Sequence, residues 1–111
     1  MLADRHNQDK LVWSTLDWST IEKIVEVLNF GMKKYAKDNW KKGLTYTSIL
    51  DSFDRHRMAF LKGENIDEES GLAHVDHMQC NMMFLSYMFH NRSDMDDRVT
   101  GPLPVPVRFD E

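Results

Sequence analysis

Two acids, two histidines and an amide, close together in sequence, carry most of the chemistry that this chain could do. They are Glu64, Asp67, His74, His77 and Asn81, within the run GENIDEESGLAHVDHMQCN at residues 63–81. On an α-helix, which turns about 100° per residue, the last three fall within roughly a 60° arc of one face. Carboxylates and imidazoles suit a divalent metal ion, which in turn suits a phosphorylated substrate.

The acid pair is spaced for a shared cation. Glu64 and Asp67 are three residues apart, so both carboxylates can reach one ion from the first turn of a helix or across a tight turn. A Mg²⁺ or Mn²⁺ ion held there would bridge phosphate oxygens and orient an attacking water. The alternative is a solvated acidic turn whose negative charge favours the N-terminus of the following helix.

The histidine pair has three possible roles. His74 and His77 could ligate a metal, act as general acid or base near neutral pH, or bind phosphate as cations. A lone histidine on an apolar face is more often a packed core residue, but two of them with Asn81 on the same arc favour a site. The zincin motif HExxH is absent, because the segment reads HVDHM.

Cationic and aromatic residues upstream are candidates for holding a nucleotide. Lys34 and Arg55 could neutralise phosphates, and Tyr35 or Trp40 could stack on a base while Asn39 reads its edge. Lysines at the end of a helix also favour its dipole, and aromatic residues between helices usually fill the core, so each has a structural alternative. Arg55 and His56 are adjacent and point about 100° apart, so only one of them can face a cleft. Neither GxxxxGK[ST] nor a GxGxxG after a strand occurs, so the common nucleotide folds are not indicated.

The apolar periodicity predicts three helices. The first runs from about 19 to 37, with Ser19 and Glu22 as a capping box and Gly31 inside it, where a glycine suggests close approach of another group to the backbone. The second begins with Ser48 as its cap and is ended by Gly63. The third begins near residue 70 and runs to about 90. The sequence predicts an all-α three- to four-helix bundle over residues 1–92, then an acidic and Pro-containing C-terminal arm over 93–111.

Composition limits the environment and partners of the chain. A formal charge of −4 and a pI near 5.7 argue against nucleic-acid binding through a net basic field. No stretch approaches 18 apolar residues, and the single cysteine, Cys80, can form no internal disulfide. We therefore expect a cytoplasmic protein with no membrane partner. Eight Met, six Phe and three Trp are many for one small core, so some should pack against a second copy of the chain.

Longer motifs give the chain a family resemblance. GMKKYAKDNWKKG, followed by DRHRMAFLKGENIDEESGLAHVDHMQCNMMFL, resembles the phage-associated dATP/dGTP diphosphohydrolase family, whose pattern is roughly GxxKYxxxNWxxG, RH and GExxDxESGxxHxxHxxxN. The resemblance covers residues 10–90. It implies a relative of the MazG-like all-α pyrophosphohydrolases, which use ExxE and ExxD carboxylates and assemble as dimers or tetramers. Here only Glu64 and Asp67 form a clear ExxD, so either the histidines would supply what the second carboxylate pair supplies elsewhere, or the site is of another type.

The resemblance implies hydrolysis of a purine deoxynucleoside triphosphate to the monophosphate and pyrophosphate, in the host cytoplasm if the protein is viral. Eleven residues would then have a role. Glu64, Asp67 and His77 would hold Mg²⁺ or Mn²⁺; His74, His77 and Glu64 would act in catalysis; Lys34, Tyr35, Asn39, Trp40, Arg55, His56 and Asn81 would bind substrate. Two alternatives stay open: a module that sequesters a nucleotide without cleaving it, and a structural oligomer whose histidines only pack.

Overall fold

The computed structural model describes residues 1–99, in which three α-helices carry most of the regular structure. Helix α1 spans Trp18–Gly31, α2 spans Tyr46–Leu61 and α3 spans His74–Asn91; short 3₁₀ helices lie at Trp13–Thr15, Asn39–Lys42 and Ser93–Met95. Apart from one isolated bridge between Ile66 and Ala73, residues 1–99 form no β-structure. The prediction of a small all-α bundle is confirmed.

Helix α1 begins at a different cap from the predicted one. The carboxylate of Asp17 accepts from the Thr20 amide at 3.1 Å, so Asp17 and not Ser19 is the N-cap. Aspartate caps as well as serine, and its negative charge also favours the positive end of the helix dipole.

Helix α1 also ends earlier than predicted, at Gly31 instead of about residue 37. The apolar repeat stops after Met32, and the Lys33 amide bonds back to the Phe30 carbonyl at 3.1 Å in a tight three-residue turn. A Cβ on Gly31 would meet no atom of residues 1–99 within 4 Å, so the expected close approach to its backbone is wrong. Glycine there ends the helix because it is a poor helix former.

The starts of the other two helices also differ from prediction. Thr45 caps α2, its hydroxyl accepting from the Ser48 amide at 3.4 Å, so α2 begins one turn before the predicted cap. Helix α3 begins at His74, four residues after Ser70. Gly71 explains that delay, since its φ of 72° cannot continue into a right-handed helix. Gly63 follows the end of α2 with a φ of 96°, which confirms its predicted role as the terminating glycine.

Helices α2 and α3 pack against each other in antiparallel fashion. Tyr46 and Ile49 at the start of α2 form the apolar core with Met88 near the end of α3. Further along α2, His56 meets His74 at the start of α3. Cys80 is buried between these ends, where desolvation raises the pKa of its thiol to about 12, in agreement with a packing role. One helix pair therefore has an apolar end and a polar end.

The residues after α3 return to the start of α2. The Arg92 guanidinium donates to the Lys42 carbonyl at 3.0 Å, and the Asp97 carboxylate accepts from the Thr47 amide at 2.9 Å. The division at residues 92 and 93 stays a prediction, and the Pro-containing part of the arm lies outside the described residues. Within residues 1–99, no helix combines the length and apolar character needed to cross a membrane.

Candidate functional site

The segment between α2 and α3, residues 62–73, is a loop closed by its own backbone. The Asp67 amide donates to the Leu72 carbonyl, and the Gly71 amide donates to the Asp67 carbonyl, both at 2.8 Å. The Asp67 carboxylate accepts from the Ser70 amide at 3.0 Å, which forms an aspartate-centred turn. Of the two arrangements left open by the sequence, the acids thus lie on a tight turn and not on a helix.

Three histidines from two helices meet beside this loop. His56 Nδ1 on α2 lies 2.8 Å from His74 Nδ1 on α3, and the His56 ring stacks on His77 with a centroid distance of 4.3 Å and an interplanar angle of 2°. His77 Nε2 lies 2.7 Å from Ser70 Oγ and 3.8 Å from the Asp67 carboxylate. We call His56, Asp67, Ser70, His74 and His77 the histidine cluster.

His74 is the most enclosed histidine of the cluster. Its side chain is 6 % exposed, and its Nε2 has no hydrogen-bond partner in the described part of the chain. The Glu64 carboxylate lies 3.7 Å away, beyond hydrogen-bond distance. A buried polar atom without a partner costs about 1–3 kcal/mol, so packing alone does not account for this nitrogen. The arrangement fits a site completed by another group.

The surroundings of His56 and His77 favour neutral imidazoles beside an ionised Asp67. Burial lowers the pKa of His56, and the neighbouring His77 lowers it further. Burial likewise lowers the pKa of His77, although Asp67 acts in the opposite direction. Burial alone would raise the pKa of Asp67, but hydrogen bonding from Ser70 and the two nearby imidazoles bring it below its ordinary value. At neutral pH the cluster therefore offers imidazole lone pairs next to a carboxylate.

Asn81 links the two helices from within. Its side chain is buried, and its amide nitrogen donates to Ser52 Oγ at 3.2 Å and to the His77 carbonyl at 3.1 Å. The predicted arc of His74, His77 and Asn81 faces α2 as expected. The contacts of Asn81 hold His77 and α2 together, so its amide group is engaged in the fold.

Two of the predicted phosphate-binding cations lie near the cluster. His56 faces the cluster, whereas its neighbour Arg55 is exposed and lines an open groove of about 530 Å³ with Lys62 and Glu64. This agrees with the divergence expected of adjacent helical residues. Lys34 pairs with Glu69 of the loop, which connects the segment after α1 to the residues around the cluster.

The predicted base-binding residues are divided between two places. Trp40 packs against Phe84 and Tyr87, each at a centroid distance of 4.8 Å, and Asn39 belongs to the same 3₁₀ helix. Phe84 is ten residues beyond His74, which is about 15 Å along α3. Asn39 and Trp40 are thus not brought together with the histidine cluster. Tyr35 remains exposed and directly follows Lys34.

Two serines that were not among the predicted site residues hold the cluster in place. Ser70 contacts both His77 and Asp67, and its Oγ also accepts from the Leu72 amide at 3.1 Å. Its spacing of three from Asp67 was the available signal, since that spacing is typical of an aspartate turn. Ser52 contacts Asn81 across the helix interface, and no local motif in the sequence indicates that pairing.

The donor atoms of the cluster fit a divalent cation. His56, Asp67 and His74 each offer a ligand atom, and these three atoms lie within 4.8 Å of one another. Two neutral imidazoles and one carboxylate form a common donor set for such ions. Of the predicted ligands, Asp67 belongs to this set, His77 is stacked beside it, and Glu64 lies on the outer side of His74.

The chain is all-α, and it places imidazoles from two facing helices beside a carboxylate of the loop that connects them, as in helical proteins that build their site between helices. Residues 3–98 match the family described as "dATP/dGTP diphosphohydrolase, N-terminal", and the chain belongs to that family. The family resemblance stated from the motifs is confirmed.

One curated relative is a dATP/dGTP diphosphohydrolase of Salmonella phage PMBT28. It is 34% identical over 98 residues, which are 88% of this chain and 33% of the relative. This chain therefore spans about a third of the length of the relative. No solved structure matches the chain.

Proposed function

We propose that the histidine cluster is the site of a metal-dependent hydrolase that cleaves a purine (deoxy)nucleoside triphosphate into the monophosphate and pyrophosphate. The observation that carries the proposal is the meeting of Asp67 with His56, His74 and His77, in a chain of a family named for dATP/dGTP diphosphohydrolase. Because this chain spans about a third of the length of the relative, the activity of the whole protein is part of the proposal.

His56, Asp67 and His74 would hold the cation, for which the sequence predicts Mg²⁺ or Mn²⁺. Such an ion neutralises phosphate charge and activates water. The exposed Glu64 carboxylate lies 3.7 Å from Nε2 of the buried His74 ring.

His77 is suited to move a proton. Its lowered pKa keeps the ring neutral at pH 7, and Ser70 at 2.7 Å fixes the orientation of its Nε2. With its Nε2 proton donated to Ser70, the neutral imidazole presents a lone pair at Nδ1, which would accept the proton as water attacks the α-phosphorus and pyrophosphate leaves. Asp67, 3.8 Å from Nε2, stabilises the imidazolium that results.

The substrate would reach the cluster from the side of the loop. Arg55, in an open groove that Asp51, Asp54 and Glu64 also line, and Lys34, which pairs with Glu69, would be the phosphate partners. Tyr35, exposed next to Lys34, is the aromatic residue best placed to contact a base. The packing of Trp40 supports its structural alternative.

We also propose that the protein works as a homo-oligomer, a dimer or tetramer, in the cytoplasm. An open apolar groove between the three helices supports self-association; it is lined by Ile24, Phe53, Val75, Met78, Gln79, Met82 and Met83. Light scattering on the purified chain tests the oligomeric state, and a monomer at micromolar concentration contradicts it.

A screen of nucleotides tests the reaction. The purified protein is incubated with each ribo- and deoxynucleoside triphosphate and Mg²⁺, Mn²⁺ or Co²⁺, and the products are resolved by chromatography. We expect pyrophosphate and a purine monophosphate, lost in His77→Gln and kept in His90→Gln, whose histidine is exposed at the far end of α3. Nucleotide recovered intact from a tight complex would instead show sequestration.

A further inference from the structure

The two imidazole ligands of the site determine which metal ions it can bind. Mg²⁺ takes oxygen ligands and keeps most of its water, whereas imidazole suits zinc, copper, iron and nickel. Two of the three clustered donor atoms, those of His56 and His74, are imidazole nitrogens. We infer that His56, His74 and Asp67 form a binding site for a first-row transition-metal ion that excludes Mg²⁺. The inference rests on the proposed function because it concerns the same site, but metal binding itself requires no nucleotide.

The two facing nitrogens are spaced as neighbouring ligands of one ion. His56 Nδ1 and His74 Nδ1 are 2.8 Å apart. Two nitrogens each about 2.1 Å from a common metal and at right angles to each other are about 3 Å apart. Without a metal, one of these rings must donate its Nδ1 proton to the other. A cation takes both lone pairs, which requires both rings to be deprotonated at Nδ1.

This protonation state also explains the unpartnered nitrogen of His74. A ring that ligates through Nδ1 carries its proton on Nε2, and that buried atom then needs an acceptor. The Glu64 carboxylate is 3.7 Å away, so a small movement of this exposed side chain completes the hydrogen bond. Metal-ligating histidines ordinarily donate their other N–H to a carboxylate or carbonyl group. Glu64 is thus a positioning residue for His74 and not a ligand.

Cobalt binding tests the site without nucleotide. The full chain is titrated with Co²⁺, and the visible ligand-field absorption is recorded, because nitrogen ligands alter this spectrum. We expect one Co²⁺ per chain and no displacement by a hundredfold excess of Mg²⁺. A spectrum unchanged from that of aqueous Co²⁺, or displacement by an equal concentration of Mg²⁺, overturns the inference.

Variants identify the ligands. His56→Gln and His74→Gln should each weaken Co²⁺ binding by more than about a hundredfold, and Glu64→Gln by about 10–100-fold, the range found for outer partners of metal ligands. His90→Gln is the control and should bind Co²⁺ as the unaltered chain does. His56 is only partly buried, so its variant remains informative where replacement of buried His74 prevents folding. Equal weakening in His90→Gln overturns the assignment.

The thermal midpoint of unfolding of the metal-free protein distinguishes a positioning role of Glu64 from a role in folding. Glu64→Gln should leave it unchanged while shifting the Co²⁺ spectrum, and a lowered midpoint with an unchanged spectrum contradicts the role of Glu64. The same experiments test the proposed hydrolysis and the proposed metal site separately. Co²⁺ bound through the histidines without nucleotide hydrolysis removes the proposed function alone, and hydrolysis supported by Mg²⁺ without Co²⁺ binding removes the inference alone.

Discussion

The two ends of the α2–α3 pair are built from opposite chemistry. At one end Tyr46, Ile49 and Met88 are buried together, with aromatic residues such as Trp40 packed against them. About three helical turns away, the same two helices are joined by histidines, an aspartate and hydrogen bonds. One antiparallel interface thus holds an apolar core and a polar site side by side.

The two ends of the helix pair differ in how much they contribute to stability. Apolar burial contributes stability in proportion to the area removed from water, whereas buried polar groups must find partners merely to offset the loss of hydration. The polar end leaves His74 Nε2 without a partner among residues 1–99 and holds three imidazoles in contact. A helix interface selected for stability alone would bury apolar side chains there, and the proposed metal site accounts for the polar groups that are found instead.

The largest effect is expected from removing the charge at the polar end. Asp67→Asn keeps the shape of the turn but replaces an ionised ligand with an amide, so hydrolysis should fall by about 10³-fold. The urea midpoint of unfolding should change little, because Asn can still accept from the Ser70 amide. Steady-state pyrophosphate release measures the rate.

Glu68→Gln is the matched control, since Glu68 is the exposed neighbour of Asp67 on the same loop. It should retain the full rate. If both variants lose activity equally, the rate depends on the overall charge of the loop and not on the cluster.

The opposite result is expected at the apolar end. Met88 is 0% exposed, and Met88→Ala should lower the free energy of unfolding by about 2–5 kcal/mol, because it removes buried contacts and leaves a cavity. The rate per folded molecule should stay unchanged. Urea unfolding followed by circular dichroism measures the loss.

Phe89→Ala on the same helix is the control, because Phe89 is 60% exposed and its truncation should cost much less. A large loss of activity in folded Met88→Ala would show that the two ends are coupled, which contradicts their separation.

The sequence predicts this division only in part. Periodicity is a local signal, so the three helices and the shared face of His74, His77 and Asn81 could be predicted. The helix starts were less accurate. Asp17 and Ser19 are both good caps, and spacing alone does not choose between them.

Partners across the interface could not be predicted. The pairing of His56 with His74 depends on how α2 and α3 align, which tertiary packing decides. The same holds for Trp40, whose contact with Phe84 places it far from the cluster. The motif indicated candidate site residues. The fold separates the candidates that lie near the histidines from those, such as Trp40, that pack against the apolar core.

Lowering the pH should lower the free energy of unfolding through the histidines of the polar end. The pKa values of His56 and His77 are lowered by folding, so below about pH 6.5 the unfolded chain takes up protons that the folded chain resists. Stability should therefore be constant between pH 7 and pH 8 and fall as the pH decreases from 6.5 towards the lowered pKa values. Urea midpoints between pH 5 and 8 measure this trend.

His77→Gln removes one of these groups and should flatten the pH profile, whereas His90→Gln should leave it as it is. A profile that is flat for the unaltered chain, or steeper in His77→Gln, contradicts the proposed neutral state of the cluster.

The smallest effect is expected at the Lys34–Glu69 ion pair, which lies at the surface beside the polar end. Exposed pairs contribute little to stability, so Lys34→Ala and Glu69→Gln should both leave the thermal midpoint nearly unchanged. Their effects on KM should have opposite signs. Loss of Lys34 removes a phosphate partner and should raise KM about tenfold, as expected for one hydrogen bond to a charged group.

Loss of the Glu69 carboxylate frees Lys34 from its competing partner and should lower KM. Lys37→Ala is the control, because Lys37 is exposed nearby in the same segment. If both variants at the pair raise KM, the ion pair acts by holding the loop in place, and Lys34 belongs to the scaffold of the polar end. A raised KM in Lys34→Ala alone assigns Lys34 to the substrate, since the loop then keeps its form without the pair.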